Sequence, residues 1–190
     1  MTRLPSLRYQ GRAWLLGDNI STDLLSPGHY VHDPHDVRLK HVLEAVRPGF
    51  AQGVRTGDIV VAGRNFGCGS SRESAAMHLK DLGVAAVIAE SFARIFSRNA
   101  LAIGLAVLSC PSISTRVQDG EHIIVDVVAG EVFLADGSRL ELERLPDQML
   151  EVLAKGGIVP ILKEIGRTLR EGRDFGVTTN DETASRNDMR

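Results

Sequence analysis

The stretch IVVAGRNFGCGSSRES, Ile59 to Ser74, decides how this chain folds. Asp58 to Ala62 reads as a buried strand, and Gly63, Gly67 and Gly69 mark a turn. From Ser71 the pattern becomes helical and runs to Leu82, where Gly83 closes it. The same alternation continues downstream. Val84–Glu90 is a second apolar strand, Phe92–Ile103 a helix closed by Gly104, and Leu105–Cys110 a third strand. Strands that lack polar alternation and are separated by helices imply an α/β fold whose central sheet is mostly parallel and covered on both faces.

Upstream, Ala13–Leu16 reads as a short strand entering the polar turn GDNISTD, Gly17 to Asp23. The following LLSPGHYVHDPHD, Leu24 to Asp36, contains Pro27, Gly28 and Pro34 and reads as a long loop. A helix is expected over Val37–Val46, ended by Pro48-Gly49. Past the third strand, HIIVDVVAG, EVFLAD and RLELE are short, β-rich and separated by Ala129-Gly130 and Asp136-Gly137, which predicts antiparallel hairpins. A last helix spans Pro146–Lys155, with Gly156-Gly157 after it. From Glu171 the chain is polar and expected to be disordered.

The 190 residues are 43% hydrophobic and 24% charged, enough for one domain with a real core. A net charge of −2 gives no basic footprint, so no nucleic-acid partner is expected. No apolar stretch approaches the ~20 residues of a membrane span, and Ala13–Leu16 is too short for a signal peptide core. Two cysteines, Cys68 and Cys110, form neither a disulfide framework nor a zinc-type spacing. A cytoplasmic protein without a membrane association is the expectation.

Strand, glycine-rich turn, helix is the geometry in which the first helical amides and the helix dipole favour an anion. A cation at Arg72 opposes that dipole, a cost that makes sense if the guanidinium grips a carboxylate or phosphate. The phosphate signatures fail: GxGxxG would need glycine at Arg72, and a P-loop would need lysine followed by serine or threonine after the second glycine. No serine has the flanking glycines of a nucleophile elbow. A small carboxylate ligand remains, with Ser70 and Ser71 beside it. Ser70-x-x-Glu73 equally matches a capping box, a purely structural use of the same serine. Cys68 reads as packing, since no partner residue lies near it in sequence. His29, His32 and His35, with Asp33 and Asp36, have ligand chemistry, but Pro34 breaks their spacing, and a solvated recognition loop is the reading preferred here.

Four ordered motifs carry a resemblance: GDNISTD, GRNFGCGSSRES, SFARIFSRNALAIGL and PDQMLEVLAKGGIVPILK. Over most of residues 11 to 165 the chain resembles the 3-isopropylmalate dehydratase small-subunit family, equivalent to the swivelling C-terminal domain of aconitases. The resemblance implies a swivelling β/β/α domain over residues 1–170, with 171–190 as the tail, docked on a large subunit. That subunit would carry a [4Fe-4S] cluster on three cysteines, its open iron acting as a Lewis acid on the substrate; this chain alone would bind none. Carried over residue by residue, Ser70 is the base that removes the proton next to a carboxylate. Ser71 and Arg72 are substrate-carboxylate contacts, Asp23 belongs to the acidic network, and His32 sits in the substrate-recognition loop. The implied reaction interconverts 2- and 3-isopropylmalate by dehydration and rehydration, in leucine biosynthesis. Homoaconitate, dimethylmalate, citrate and methylcitrate are the sister substrates, and a non-catalytic carboxylate-binding module is the rival of another class. Two departures stand out: Ser74 where many relatives read histidine, and Tyr30-Val31-His32-Asp33 where relatives often carry a Tyr-Leu pair.

Overall fold

The computed structural model describes residues 7–170; the tail expected at 171–190 lies outside the described residues. One seven-stranded sheet runs through the molecule in the order β4-β3-β2-β1-β5-β6-β7. Its parallel half comprises β1 (Arg8–Leu15), β2 (Ile59–Ala62), β3 (Ala86–Ala89) and β4 (Ala106–Ser109). Its antiparallel half adds β5 (His122–Asp126), β6 (Glu131–Phe133) and β7 (Arg139–Glu141) to the other edge of β1. The mixed α/β architecture expected from the sequence is the one observed.

Every residue of β2 and β3 is buried, as both-face coverage demands. In register, Val60 lies beside Val87 and Val87 beside Val107, so β-branched side chains stack across the three strands. The crossover helices α4 (Glu73–Asp81) and α5 (Arg94–Ala102) pack against each other, while the short α6 (Ile113–Arg116) packs on β2 and β3. By contrast, β5 alternates buried and less buried residues, the pattern of a sheet with one wetter face.

Three expectations need correction. The first strand is Arg8–Leu15 rather than Ala13–Leu16, because its first half pairs antiparallel with β5 and only Ala13–Leu15 pairs parallel with β2. Polar Arg8, Gln10 and Arg12 hide this strand from an apolar-run criterion. The loop from Leu24 to Asp36 contains regular turns: α1 (Thr22–Leu25), a 3₁₀ turn at Gly28–Tyr30, and the start of α2 (His35–Lys40). The helix expected to reach Val46 stops at Lys40, since Leu43 adopts φ 60° and its fully buried side chain pulls the chain into the core.

A short α3 (Phe50–Gly53) precedes β2 and brings Phe50 edge-on against Trp14, with centroids 5.0 Å apart. The expected C-terminal helix is α7 (Asp147–Ala154). A further helix, α8 (Ile158–Arg170), follows the left-handed Gly156-Gly157 break and was not anticipated. Pro160 lies in its first turn, where a missing N–H costs nothing.

Candidate active site

The loop after β2 is held like an extra strand between two neighbours. Gly67 N–H donates to the Ile20 carbonyl (2.7 Å) and Thr22 N–H to the Cys68 carbonyl (2.8 Å) on one side. On the other, Phe66 N–H donates to Ser91 O (3.0 Å) and Ala93 N–H to Phe66 O (2.9 Å). Phe66 is fully buried and meets Phe96 edge-on at 5.2 Å, which anchors the loop in the core. Gly67, at φ 76°, must be glycine, since a Cβ there would stand 2.1 Å from the Phe96 ring. Three loops, 17–22, 63–72 and 90–93, therefore meet at the carboxyl ends of the parallel strands, the usual ligand side of such sheets.

Ser70 lies at the outer end of this platform, exposed, and its bonds run across to the loop that ends β1. Its backbone N–H donates to Thr22 Oγ1 (3.0 Å), and its own hydroxyl lies 3.2 Å from the same atom. Thr22 Oγ1 thus already accepts one hydrogen bond, and its single proton is free to be given to Ser70 Oγ. Thr22 is 1% exposed, so this hydroxyl is set by its surroundings. The capping box does not form: Arg72 is the N-cap of α4 and no side chain caps that end. The helix starts two residues later than the sequence suggests, which places Ser70 and Ser71 in the approach to the helix and leaves its first amides unclaimed.

Arg72 completes the corner. Its Nη1 donates to Ser26 O (3.1 Å) and stands 2.5 Å from Asp23 Oδ1. Gly28 passes close to the guanidinium, its Cβ position 3.5 Å from Nη2. Below, Ser26 and Ser74 share a hydroxyl hydrogen bond at 3.0 Å. Ser70, Arg72 and Asp23 are brought together, and Asn99 Nδ2 reaches the Ser71 carbonyl at 3.4 Å from α5. No contact in the described residues ties the exposed His32 to them. The corner is open, with Ser70 and Ser71 exposed, and a hollow of about 550 Å³ lies elsewhere, beside Lys40, Glu44 and Gln52.

Residues 33–112 match the Aconitase C-terminal domain family. A 3-isopropylmalate dehydratase small subunit 1 from Methanopyrus kandleri is 46% identical over 166 residues, covering 86% of this chain and 97% of that protein. The chain belongs to the 3-isopropylmalate dehydratase small-subunit family. Within it, a methanogen homoaconitase small subunit from Methanothermobacter thermautotrophicus is 48% identical over 152 residues, covering 79% of this chain and 88% of the other. A crystal structure of a 3-isopropylmalate dehydratase from Methanocaldococcus jannaschii superposes with a TM-score of 0.80 at 35% identity, covering 87% and 99% of the two chains.

This chain has no ligand set for an iron–sulfur cluster among its described residues. A cluster needs several thiolates, and here there are Cys68, half-buried, and Cys110, buried with its thiol pushed up to about 11 by burial and then by Glu90. No group of three or more His, Cys, Asp or Glu among the described residues is arranged to hold a metal ion. The loop histidines disperse: His29 tilts against Tyr30 with centroids 4.1 Å apart, Tyr30 stacks on His41 at 3.7 Å, and His35 pairs with Asp81 at 3.0 Å. Thr22, Ser26 and Ser74 escaped the sequence reading as site residues. Thr22 sat in the quoted GDNISTD, but only the fold shows that its hydroxyl faces Ser70 across 48 positions.

Proposed function

We propose that this chain is the small subunit of a [4Fe-4S]-dependent hydro-lyase that interconverts 2- and 3-isopropylmalate by loss and return of water. The large subunit carries the cluster, and no step assigned to this chain passes through it. The observation that supports the reading most directly is the convergence of Ser70, Thr22 and Arg72 at one open corner. Arg72 has a planar donor fork suited to a substrate carboxylate, and the amides opening α4 add positive potential. A carboxylate held there places the carbon beside it near Ser70 Oγ.

Ser70 then takes the proton from that carbon and returns it on rehydration. A serine is a poor base unless its oxyanion is stabilised. Here the Thr22 hydroxyl, 3.2 Å from Ser70 Oγ, can donate to the oxyanion as it forms, while the Ser70 N–H fixes Thr22 in place. Nearby Arg72 and the helix terminus lower the cost of the negative charge further. Ser71 and Asp23 contribute a second substrate contact and the orientation of Arg72, and His32 lies in the loop that selects the substrate. The open face is closed by the large subunit, which excludes water from the corner.

A second substrate has specific support: the homoaconitase relative shares 48% identity. The deciding experiment is anaerobic turnover of this chain co-expressed with its cognate large subunit, on isopropylmalate, homoaconitate, citrate and dimethylmalate. Preference for isopropylmalate is expected. Preference for another acid moves the chain to the sister activity, and no turnover by a cluster-loaded, stable complex overturns the dehydratase reading in favour of a carboxylate-binding module.

A further inference from the structure

Beneath the site, α4 grips the Thr22–Ser26 segment through a row of polar groups. Arg72 takes the Ser26 carbonyl, Ser74 the Ser26 hydroxyl, and one turn farther along the same face His78 lies against the backbone of Leu25. His78 is 1% exposed, and neither ring nitrogen has a hydrogen bond of normal geometry. Burying a polar group in this way costs about 1–3 kcal/mol. Its neighbours on the helix, Ala75, Ala76 and Leu79, are all buried and apolar, so an apolar residue would fill the position without that cost.

The charges around the ring come from three elements. Burial disfavours its protonated form most, Arg38 and His35 of α2 add to this, and Leu25 of α1 and Asp81 of α4 oppose it. The balance keeps the ring uncharged at neutral pH, with one N–H to donate and one lone pair to receive.

We propose that His78 is a positioning residue for the Arg72–Asp23 pair: the buried imidazole beside Leu25 sets how the Thr22–Ser26 segment sits on α4. The segment in turn decides where Asp23 and the Ser26 carbonyl hold the guanidinium. The inference rests on the dehydratase reading for its kinetic readout only.

The test uses the chain assembled with its large subunit. His78→Leu keeps bulk and removes both nitrogens, whereas His78→Gln returns a donor and an acceptor. With the substrate the wild type turns over, kcat/KM is expected to fall about 10-fold or more in His78→Leu and to recover to within about 3-fold in His78→Gln, because small misplacement of a gripping group is costly. In an Arg72→Lys background the same His78→Leu change is expected to cost less than about 2-fold, since its route is already cut. Equal losses in both backgrounds, or unchanged kcat/KM per assembled complex in His78→Leu, overturn the proposal. Should His78→Leu not fold, His78→Gln with wild-type stability but an equally large loss of kcat/KM also counts against it.

Imidazole ¹⁵N spectra of the full chain give a readout without turnover. A ring that titrates below its usual 6.5 and whose signals move on Asp23→Asn is expected; signals indifferent to Asp23→Asn sink the coupling. If the wild-type complex turns over nothing, the dehydratase reading fails and these spectra still decide the role of His78.

Discussion

Two of the Arg–Asp pairs among the described residues are built to opposite ends. Arg12 and Asp58 lie 3.0 Å apart, and the Asp58 side chain is 8% exposed. Asp58 also accepts from Trp14 Nε1 (2.8 Å) and Arg55 N–H (3.0 Å), while Arg12 also donates to Gly53 O (2.7 Å) and lies over the Trp14 ring. Arg72 and Asp23 are closer, at 2.5 Å, yet the Asp23 side chain is 62% exposed. The first pair is a closed set of contacts that locks β1 to the start of β2. The second leaves its surface to solvent beside two serines. Proximity of opposite charges therefore says little about role; the partners left available say more. A satisfied, buried carboxylate holds structure, and an open one is ready to be shared with a ligand.

The sharpest way to break this contrast is to remove a group from each side and measure both rate and stability. Ser70→Ala is expected to lower turnover about 10²–10⁴-fold, the scale of a lost general base. Subunit assembly and the thermal midpoint should stay unchanged, because the side chain is exposed. Retained turnover in a fully assembled complex would remove Ser70 from the chemistry. Asp58→Ala should do the reverse. Breaking a buried pair costs about 3 kcal/mol or more, read as a lower urea midpoint, while activity per folded complex stays near wild type. A stability change under about 0.5 kcal/mol would show that the Trp14–Asp58–Arg12 cluster is dispensable.

Much of this arrangement was legible in the chain, for identifiable reasons. Strands β2 and β3, and β4 as far as Leu108, announce themselves because their residues are buried and run apolar without interruption. Ser70 and Arg72 stand out in the sequence because helix-entry glycines and a cation set against the helix dipole break local rules, and it is on this that a functional role is proposed for them. Strand β1 was half hidden because its antiparallel half carries Arg8, Gln10 and Arg12 on a wetter stretch. The early end of α2 turns on Leu43, whose φ of 60° is forced by burial that only the packed structure reveals. Thr22, Ser74 and His78 were invisible as a group. Ser74 stands out only as a departure from its relatives, Thr22 and His78 look ordinary in their own segments, and what links the three is contacts that join positions about 50 residues apart.

Thr22 sharpens the comparison from the open side. Thr22→Val keeps the shape and deletes the hydroxyl, so Ser70 loses both its hydroxyl neighbour and the acceptor for its N–H. Turnover is expected to fall about 10–100-fold and stability by about 1 kcal/mol, the net worth of an ordinary hydrogen bond. Thr22→Ser should recover most of the rate. If valine and serine variants behave alike, the hydroxyl does not support the Ser70 oxyanion, and the N-terminal amides of α4 and Arg72 must suffice.

The smallest effect tests the closed side by pH. Burial by itself would raise the Asp58 carboxyl, but hydrogen bonds from Trp14, Arg55 N–H and Arg12, with the Arg12 charge, outweigh it and hold the group below its usual 3.8. The folded state thus binds fewer protons at Asp58 than the unfolded chain does. The resulting stabilisation is complete above the unfolded value and is lost as pH falls through 3.8 toward the folded one. Urea midpoints of the wild type should drop more steeply than those of Asp58→Asn below pH 4, and the two should run parallel from pH 5 to 7. Parallel curves through the acid range would mean that the carboxyl keeps its ordinary affinity for protons in the fold, and that the neutral hydrogen bonds to Trp14 and Arg55 hold the two strands together without any contribution from charge.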